Sequence, residues 1–243
     1  MTPEPSPQVE AVVINWRRPG NIARIVAALH RQSVPVRVTV VDAADAAHRL
    51  PDEVAAGADR VFRLPVNLGP YNRYALTFAY DCEYTYFTDD DCQPGERLVE
   101  HFLETARGRA PWSVLGQVGR RLQPDGSYAA IGVDRGPEPT PVDVVVKAYF
   151  VRTADLVEVD RFRRELGLGL PLREDDLLLA TALQRATGRP CLLTPASGDP
   201  ETSITREHLP EDGALSGSPD HVRLREAFLD RARAAGWASL LAG

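Results

Sequence analysis

Three consecutive carboxylates, Asp89, Asp90 and Asp91, close an apolar run, with Asp89 and Asp91 two residues apart. If the extended backbone continues through them, those two side chains point the same way. Two carboxylates on one edge suit a hard divalent cation, Mn²⁺ or Mg²⁺, whose other positions go to water and phosphate oxygens. Three adjacent unpaired acids repel one another, so a positive group is expected close by. Without further context the run reads equally as an acidic turn. A second acidic run, Glu174-Asp175-Asp176, opens an apolar helical stretch. Acids in a first helical turn favour the macrodipole. The same place suits a general base held at a rigid helix entry.

Other residues bear on the same chemistry. Asp42 ends an apolar run, where an acid accepts hydrogen bonds from a ribose or a nucleobase N–H, or is merely solvated. Asn15-Trp16-Arg17-Arg18-Pro19-Gly20 follows the first apolar run and lacks the G-x-G-x-x-G pattern, which argues against an NAD enzyme. Arg73 is placed to neutralise a diphosphate or an Asp, or to sit on the surface. His208 and His221 flank a late irregular stretch; each is a third metal ligand or a structural histidine. Cys92 has no evident His partner and reads as packing. Lys147 is the only lysine in a chain otherwise charged by arginine, a bias that reflects a GC-rich bacterial genome.

The elements that position these residues alternate. Val9–Ile14, Val36–Val41, 60–64 and Tyr84–Thr88 read as strands, and 21–32, 71–80 and 96–106 as helices. Alternation of this kind predicts an α/β fold with a mostly parallel sheet flanked by helices. Ligands of such sheets bind beyond the carboxyl ends of the strands, where Asn15, Asp42 and Asp89 to Asp91 all lie. In the second half, 113–118, 142–151 and 191–194 read as strands and 174–186 as a helix. The stretch 195–219 reads as a long loop of the kind that forms active-site lids, and 221–241 as a closing helix. Residues 1–8 read as a mobile tail without the apolar middle of a signal peptide.

The composition sets outer bounds. A length of 243 residues with 44% hydrophobic content allows one full α/β domain, here residues 9–243. A net charge of -6 argues against generic nucleic-acid binding. Three cysteines fit no zinc spacing and suggest a reducing cytoplasm. No stretch is apolar enough to span a bilayer, so a lipid-linked acceptor would be reached by peripheral contact.

Five segments together resemble the GT-A glycosyltransferases, in particular the family-2-like enzymes. They are Val12-Val13-Ile14-Asn15 with Arg18-Pro19, Val40-Val41-Asp42, Asn67-Leu68-Gly69 with Arg73, Phe87-Thr88-Asp89-Asp90-Asp91 with Pro94-Gly95, and Glu174-Asp175-Asp176-Leu177. The stretch 67–94 is the most specific. Leu115-Gly116-Gln117-Val118-Gly119-Arg120 is more distantly similar to exostosin-type domains, and Ala214-Leu215-Ser216 with His221 suggests a family-like tail. The resemblance implies a GT-A, Rossmann-like single domain in which 9–110 binds a nucleoside-diphosphate sugar and 111–243 the acceptor. It implies that Asn15, Arg18, Asn67, Gly69 and Arg73 belong to the donor site, with Asp42 on the base and Asp89 or Asp90 near the ribose or sugar. It implies that Asp91 binds Mn²⁺ or Mg²⁺, with Asp89 and His221 as further ligands. Asp175 is implied as the base of an inverting transfer, with Glu174 helping to hold the acceptor and Asp176 leaving the register open by one. Lys147 departs from the family pattern, which more often has a small residue there.

Two other enzyme classes compete. A sugar nucleotidyltransferase shares the architecture but usually carries a Gly- and Lys-rich turn after the first strand, absent here. A haloacid-dehalogenase-like phosphatase is suggested by Asp89-x-Asp91, Lys147 and Asp175-Asp176 in that order. That family, however, has its acidic motif on the first strand.

Overall fold

Runs of β-branched residues set the centre of the molecule. In the computed structural model, which describes residues 7–128, 131–205 and 217–241, Val9–Asn15 forms β1, Val36–Asp42 β2, Arg60–Arg63 β3 and Tyr84–Thr88 β4. These four are parallel, in the order β3-β2-β1-β4. The order reverses at β1, which opens a crevice at the carboxyl ends of β1 and β4. Further along the chain are β5 (Gln93–Pro94), β6 (Leu115–Gly116), β7 (Val118–Arg121), β8 (Ile131–Val133), β9 (Thr140–Val142), β10 (Val144–Val146), β11 (Ala148–Arg152), β12 (Cys191–Leu193) and β13 (Ile204–Thr205). Strand β11 runs antiparallel against β4, and β6, β12 and β9 extend the sheet to eight strands. Strands β10, β7 and β8 form a small antiparallel sheet, and β13 pairs with β5.

Side-chain alternation puts a core on each face. Val9, Ala11 and Val13 of β1 and Tyr84 and Tyr86 of β4 pack with two helices, α1 (Pro19–His30) and, beyond the four-residue α2 (Asp52–Ala55), α3 (Leu98–Arg107). Val12, Val41 and Phe87 face the opposite way. They pack with α4 (Val157–Glu165), α5 (Asp175–Thr187) and α6 (His221–Ala234) through Phe162, Leu177, Leu178, Leu183, Phe228 and Leu229. The expected α/β architecture is therefore present as a single mixed-sheet domain.

Four element expectations are corrected. The helix expected at 71–80 is two short 3₁₀ segments, Gly69–Arg73 and Thr77–Ala79. Asn72 spends its side chain on the Leu68 N–H and on Asn67 Oδ1, and Tyr71, Tyr74 and Tyr80 turn inward around Phe87. A straight helix cannot bury so many consecutive residues on one face. The strand expected at 142–151 is three, broken at Asp143 and at Lys147. Asp143 accepts a hydrogen bond from the Leu122 N–H at 2.9 Å, and Lys147 takes a left-handed φ of 74°. The strand expected at 113–118 likewise divides between two sheets at Gln117. The closing helix ends at Ala234 rather than 241, because Gly236 (φ 86°) turns the chain back to bury Trp237. Within 195–219 the described part carries a 3₁₀ turn and β13; residues 206–216, including His208 and Ala214-Leu215-Ser216, lie outside the described residues.

Candidate active site

Strand β4 stops at Thr88, and the chain turns through the acidic triplet: the Cys92 N–H donates to the Asp89 carbonyl at 3.1 Å. The extended geometry that would align Asp89 with Asp91 therefore does not persist. The acids turn to two arginines. Asp89 Oδ1 accepts from Arg73 Nη2 at 2.6 Å, while Arg18 hydrogen-bonds Asp90 and approaches Asp91 Oδ2 at 3.5 Å. This is the positive charge that three adjacent acids required. Asn21 fixes the turn through the Asp90 carbonyl, and Cys92, fully buried, donates its thiol to Asp91 Oδ1 at 3.2 Å. Burial pushes the Asp90 carboxyl up to about 6 against the pull of Arg18, and raises Asp89 against that of Arg73.

Arg73 joins the triplet to the second acidic run. It is 4% exposed, with Nε 3.4 Å from Asp175 Oδ2 and its guanidinium over the Tyr149 ring at 5.2 Å. It reaches there because Gly69, at φ 74°, lets the preceding loop press on the strand of chain before α5. A Cβ at Gly69 would meet the Leu172 carbonyl oxygen at 2.5 Å. Asp175 begins α5 and is 6% exposed. Its carboxyl is pushed up to about 7 by burial, with Arg73 opposing and Asp176 and Asp89 adding to the rise. Asp176 is held differently: Arg225 Nη2 of α6 bonds its Oδ2 at 2.5 Å, and its Oδ1 accepts from the Leu177 N–H. Glu174, half-buried, has its carboxyl raised chiefly by burial.

These residues line one cavity of about 860 Å³, together with Arg18, Asn67, Gly69, Lys147, Tyr149 and His221. Of the sequence-derived candidates, Asn15 and Asp42 lie behind it. Asp42, 3% exposed, accepts from Asn15 Nδ2 at 2.8 Å and from the Leu50 N–H at 3.2 Å, which spans the loop after β2. Asn67 is exposed and orders its own turn through the Gly69 N–H. His221 opens α6 with its ring edge-on to Tyr128; burial and Arg225 lower its pKa. Asp89, Asp91 and His221 do not bring three ligand atoms within 4.8 Å of one another. Glu10, Asp81 and Cys82 do, among the described residues, but they lie toward the amino-terminal end of the sheet, where Arg37 and Arg60 already pair with Glu10.

Sequence reading missed Arg225 and Tyr128. Arg225 occupies the apolar stripe of α6 with Phe228, Leu229 and Ala232, and an arginine at i, i+3, i+4, i+7 with apolar residues is the signal that marks a buried ion pair. Tyr128, under the Arg225 guanidinium at 4.3 Å, gives no such signal.

No protein-family model matches the sequence, and no curated protein matches it. Solved structures do. S. aureus TarS residues 1–349 in complex with UDP-GlcNAc aligns with a TM-score of 0.56 at 16% identity, covering 78% of this chain and 56% of that one. The same protein in complex with UDP gives 0.55 at 17%, covering 78% and 58%. A longer TarS structure gives 0.54 at 18%, covering 78% and 35%. The chain thus spans little more than half of these structures' length at most. At such identity the likeness is one of fold, and that fold is the GT-A, Rossmann-like type.

Proposed function

We propose that this chain is a glycosyltransferase that moves a sugar from a nucleoside-diphosphate sugar to an acceptor hydroxyl or amine, with inversion. The observation that carries the reading is Arg73, buried between Asp89 at the end of β4 and Asp175 at the start of α5. It ties the strand-end acids and the helix-entry acid into one cavity, as a donor site next to a base requires. The GT-A fold of neighbours solved with UDP and UDP-GlcNAc supports a UDP-sugar as the donor.

In this reading residues 9–110 hold the donor and 111–243 the acceptor. Asn15 and Asp42 shape the loop that receives the base, and Asn67 and Gly69 set the turn that delivers Arg73. A divalent cation is proposed at Asp91, where water and phosphate oxygens would complete its coordination and it would neutralise the leaving diphosphate; Asp89 and His221, the further ligands the sequence offered, would have to be drawn up to it as the donor binds. Hard carboxylate donors suit it, and the buried Oδ2 of Asp90 has no hydrogen-bond partner among the described residues. Arg18 and Arg73 add fixed charge for the developing anion. Asp175 takes the proton from the acceptor O–H or N–H as that atom bonds to the anomeric carbon. The bond from that carbon to the diphosphate oxygen breaks in the same step. A raised carboxyl is matched to this task near neutral pH. Glu174, beside it, helps to hold the acceptor, and Arg225 keeps Asp176 from competing as the base.

The test is product analysis with Asp175→Asn. The variant should bind UDP-sugar as the wild type does and lose transfer by roughly 10²-fold or more. If Asp176→Asn does this instead, the base is misassigned. Release of pyrophosphate from a nucleoside triphosphate supplied with a sugar 1-phosphate would indicate a sugar nucleotidyltransferase, and release of phosphate from phosphomonoesters would indicate a phosphatase.

A further inference from the structure

Lys147 differs from the three cavity cations that meet a carboxylate. Arg18, Arg73 and Arg225 are each buried against a carboxylate. The Lys147 ammonium has no hydrogen bond or ion pair among the described residues, yet its side chain lines the cavity and is half-buried. Its backbone is in the left-handed region at φ 74°, the only non-glycine described residue there. A lysine at such a position is strained where a glycine would not be. Observed strain at a cleft is grounds for assigning a function to the residue that bears it. Its place is fixed as well. The Lys147 carbonyl accepts the Asp89 N–H at 3.1 Å, and the next residue, Ala148, pairs with Thr88 across the β11–β4 ladder. The residue therefore sits across the strand end from the acidic triplet. Arg18 and Arg73 are engaged by the triplet acids and Asp175, whereas the ammonium meets no carboxylate among the described residues and can face a ligand.

We propose that Lys147 is a donor-binding residue whose ammonium takes the diphosphate of the nucleotide sugar. This rests on the reading of the cavity as a donor site. A lysine binds phosphate oxygens as a point charge and needs no bidentate geometry, which suits a residue approaching from a tight turn. Arg17, Arg120 and Arg173 also line the cavity; Arg17 and Arg173 are exposed, Arg17 stacks on Trp16, and Arg120 lies on β7 in ordinary strand backbone, without the left-handed φ of Lys147.

The test is calorimetric titration of UDP, uridine and inorganic pyrophosphate into the wild type, Lys147→Met, Lys147→Arg and Lys147→Gly, all with Mn²⁺. Losing one charge-assisted contact should weaken UDP and pyrophosphate about tenfold or more in Lys147→Met and leave uridine unchanged. Lys147→Arg should recover part of the loss. Lys147→Gly should lose affinity as Met does while melting no lower than the wild type, because glycine accepts the backbone without strain. That separates a ligand role from a folding role. Wild-type binding of UDP with equal affinity in Lys147→Met overturns this inference and leaves the donor reading standing. Wild-type binding of pyrophosphate but not UDP, lost in Lys147→Met, keeps the inference and overturns the nucleotide donor. No binding of either by the wild type overturns both.

Discussion

In the proposed transfer, the chemistry of this cavity turns on a carboxyl held near neutrality by burial. With the Asp175 carboxyl pushed up to about 7, kcat/KM should rise with pH through that value and level off above it, since only the carboxylate accepts a proton. Arg73 opposes the rise, so Arg73→Gln should move the acid limb to higher pH; an unmoved limb would assign it to another group. Stability should run the other way. A folded pKa above the unfolded value of about 3.9 means that the folded chain binds the proton more tightly between the two. Stability from this group is present below about pH 4 and is lost as pH rises through about 7. The melting temperature of Asp175→Asn minus that of the wild type should therefore grow from pH 4 to 7. A difference that is flat with pH would mean that burial does not perturb this carboxyl. The residue types of the triplet and of 174–176 were legible in the sequence, but their partners were not. Which arginine meets which acid depends on the turn after Thr88, and three adjacent Asp codes carry no sign of where the strand will end.

At the scale of elements, two joints hold the cavity in shape. One is the contact of the Gly69 turn with the chain before α5. Gly69→Ala would drive a Cβ to 2.5 Å from the Leu172 carbonyl in a left-handed backbone. Denaturant unfolding should show a loss of more than about 1 kcal/mol. The other is the ion pair of Asp176 with Arg225, whose side chains are 10% and 5% exposed. Arg225→Met leaves a buried carboxylate uncompensated and should cost about 3–5 kcal/mol, much of it regained in Arg225→Met/Asp176→Leu. If the double variant is no more stable than the single one, the pair is not what docks α6. The strands β1, β2 and β4 and the helices α1, α3 and α5 were readable because period-2 and period-3.6 apolar patterns reflect burial directly. The stretch 71–80 and the three strands between 140 and 152 were not. There the pattern is set by which sheet each short strand joins, and the breaks fall on Asp143 and Lys147, neither of which is a turn-forming glycine or proline.

Over the whole molecule, the sheet order β3-β2-β1-β4 sets the ends of β1 and β4 side by side at one edge of the cavity, and residues of α5 and α6 line it as well. Among the described residues no helix is long and apolar enough to cross a membrane. The central claim is that this edge binds a nucleoside-diphosphate sugar through the triplet. The measurement that addresses it is calorimetric titration of a panel of nucleotide sugars, UDP-sugars included, into the wild type and Asp91→Asn, with Mn²⁺ and with EDTA. One nucleoside-diphosphate sugar should bind the wild type in Mn²⁺, and both EDTA and Asp91→Asn should weaken it. Failure of every nucleotide sugar to bind the wild type would contradict it, and binding unchanged in Asp91→Asn would contradict the metal site.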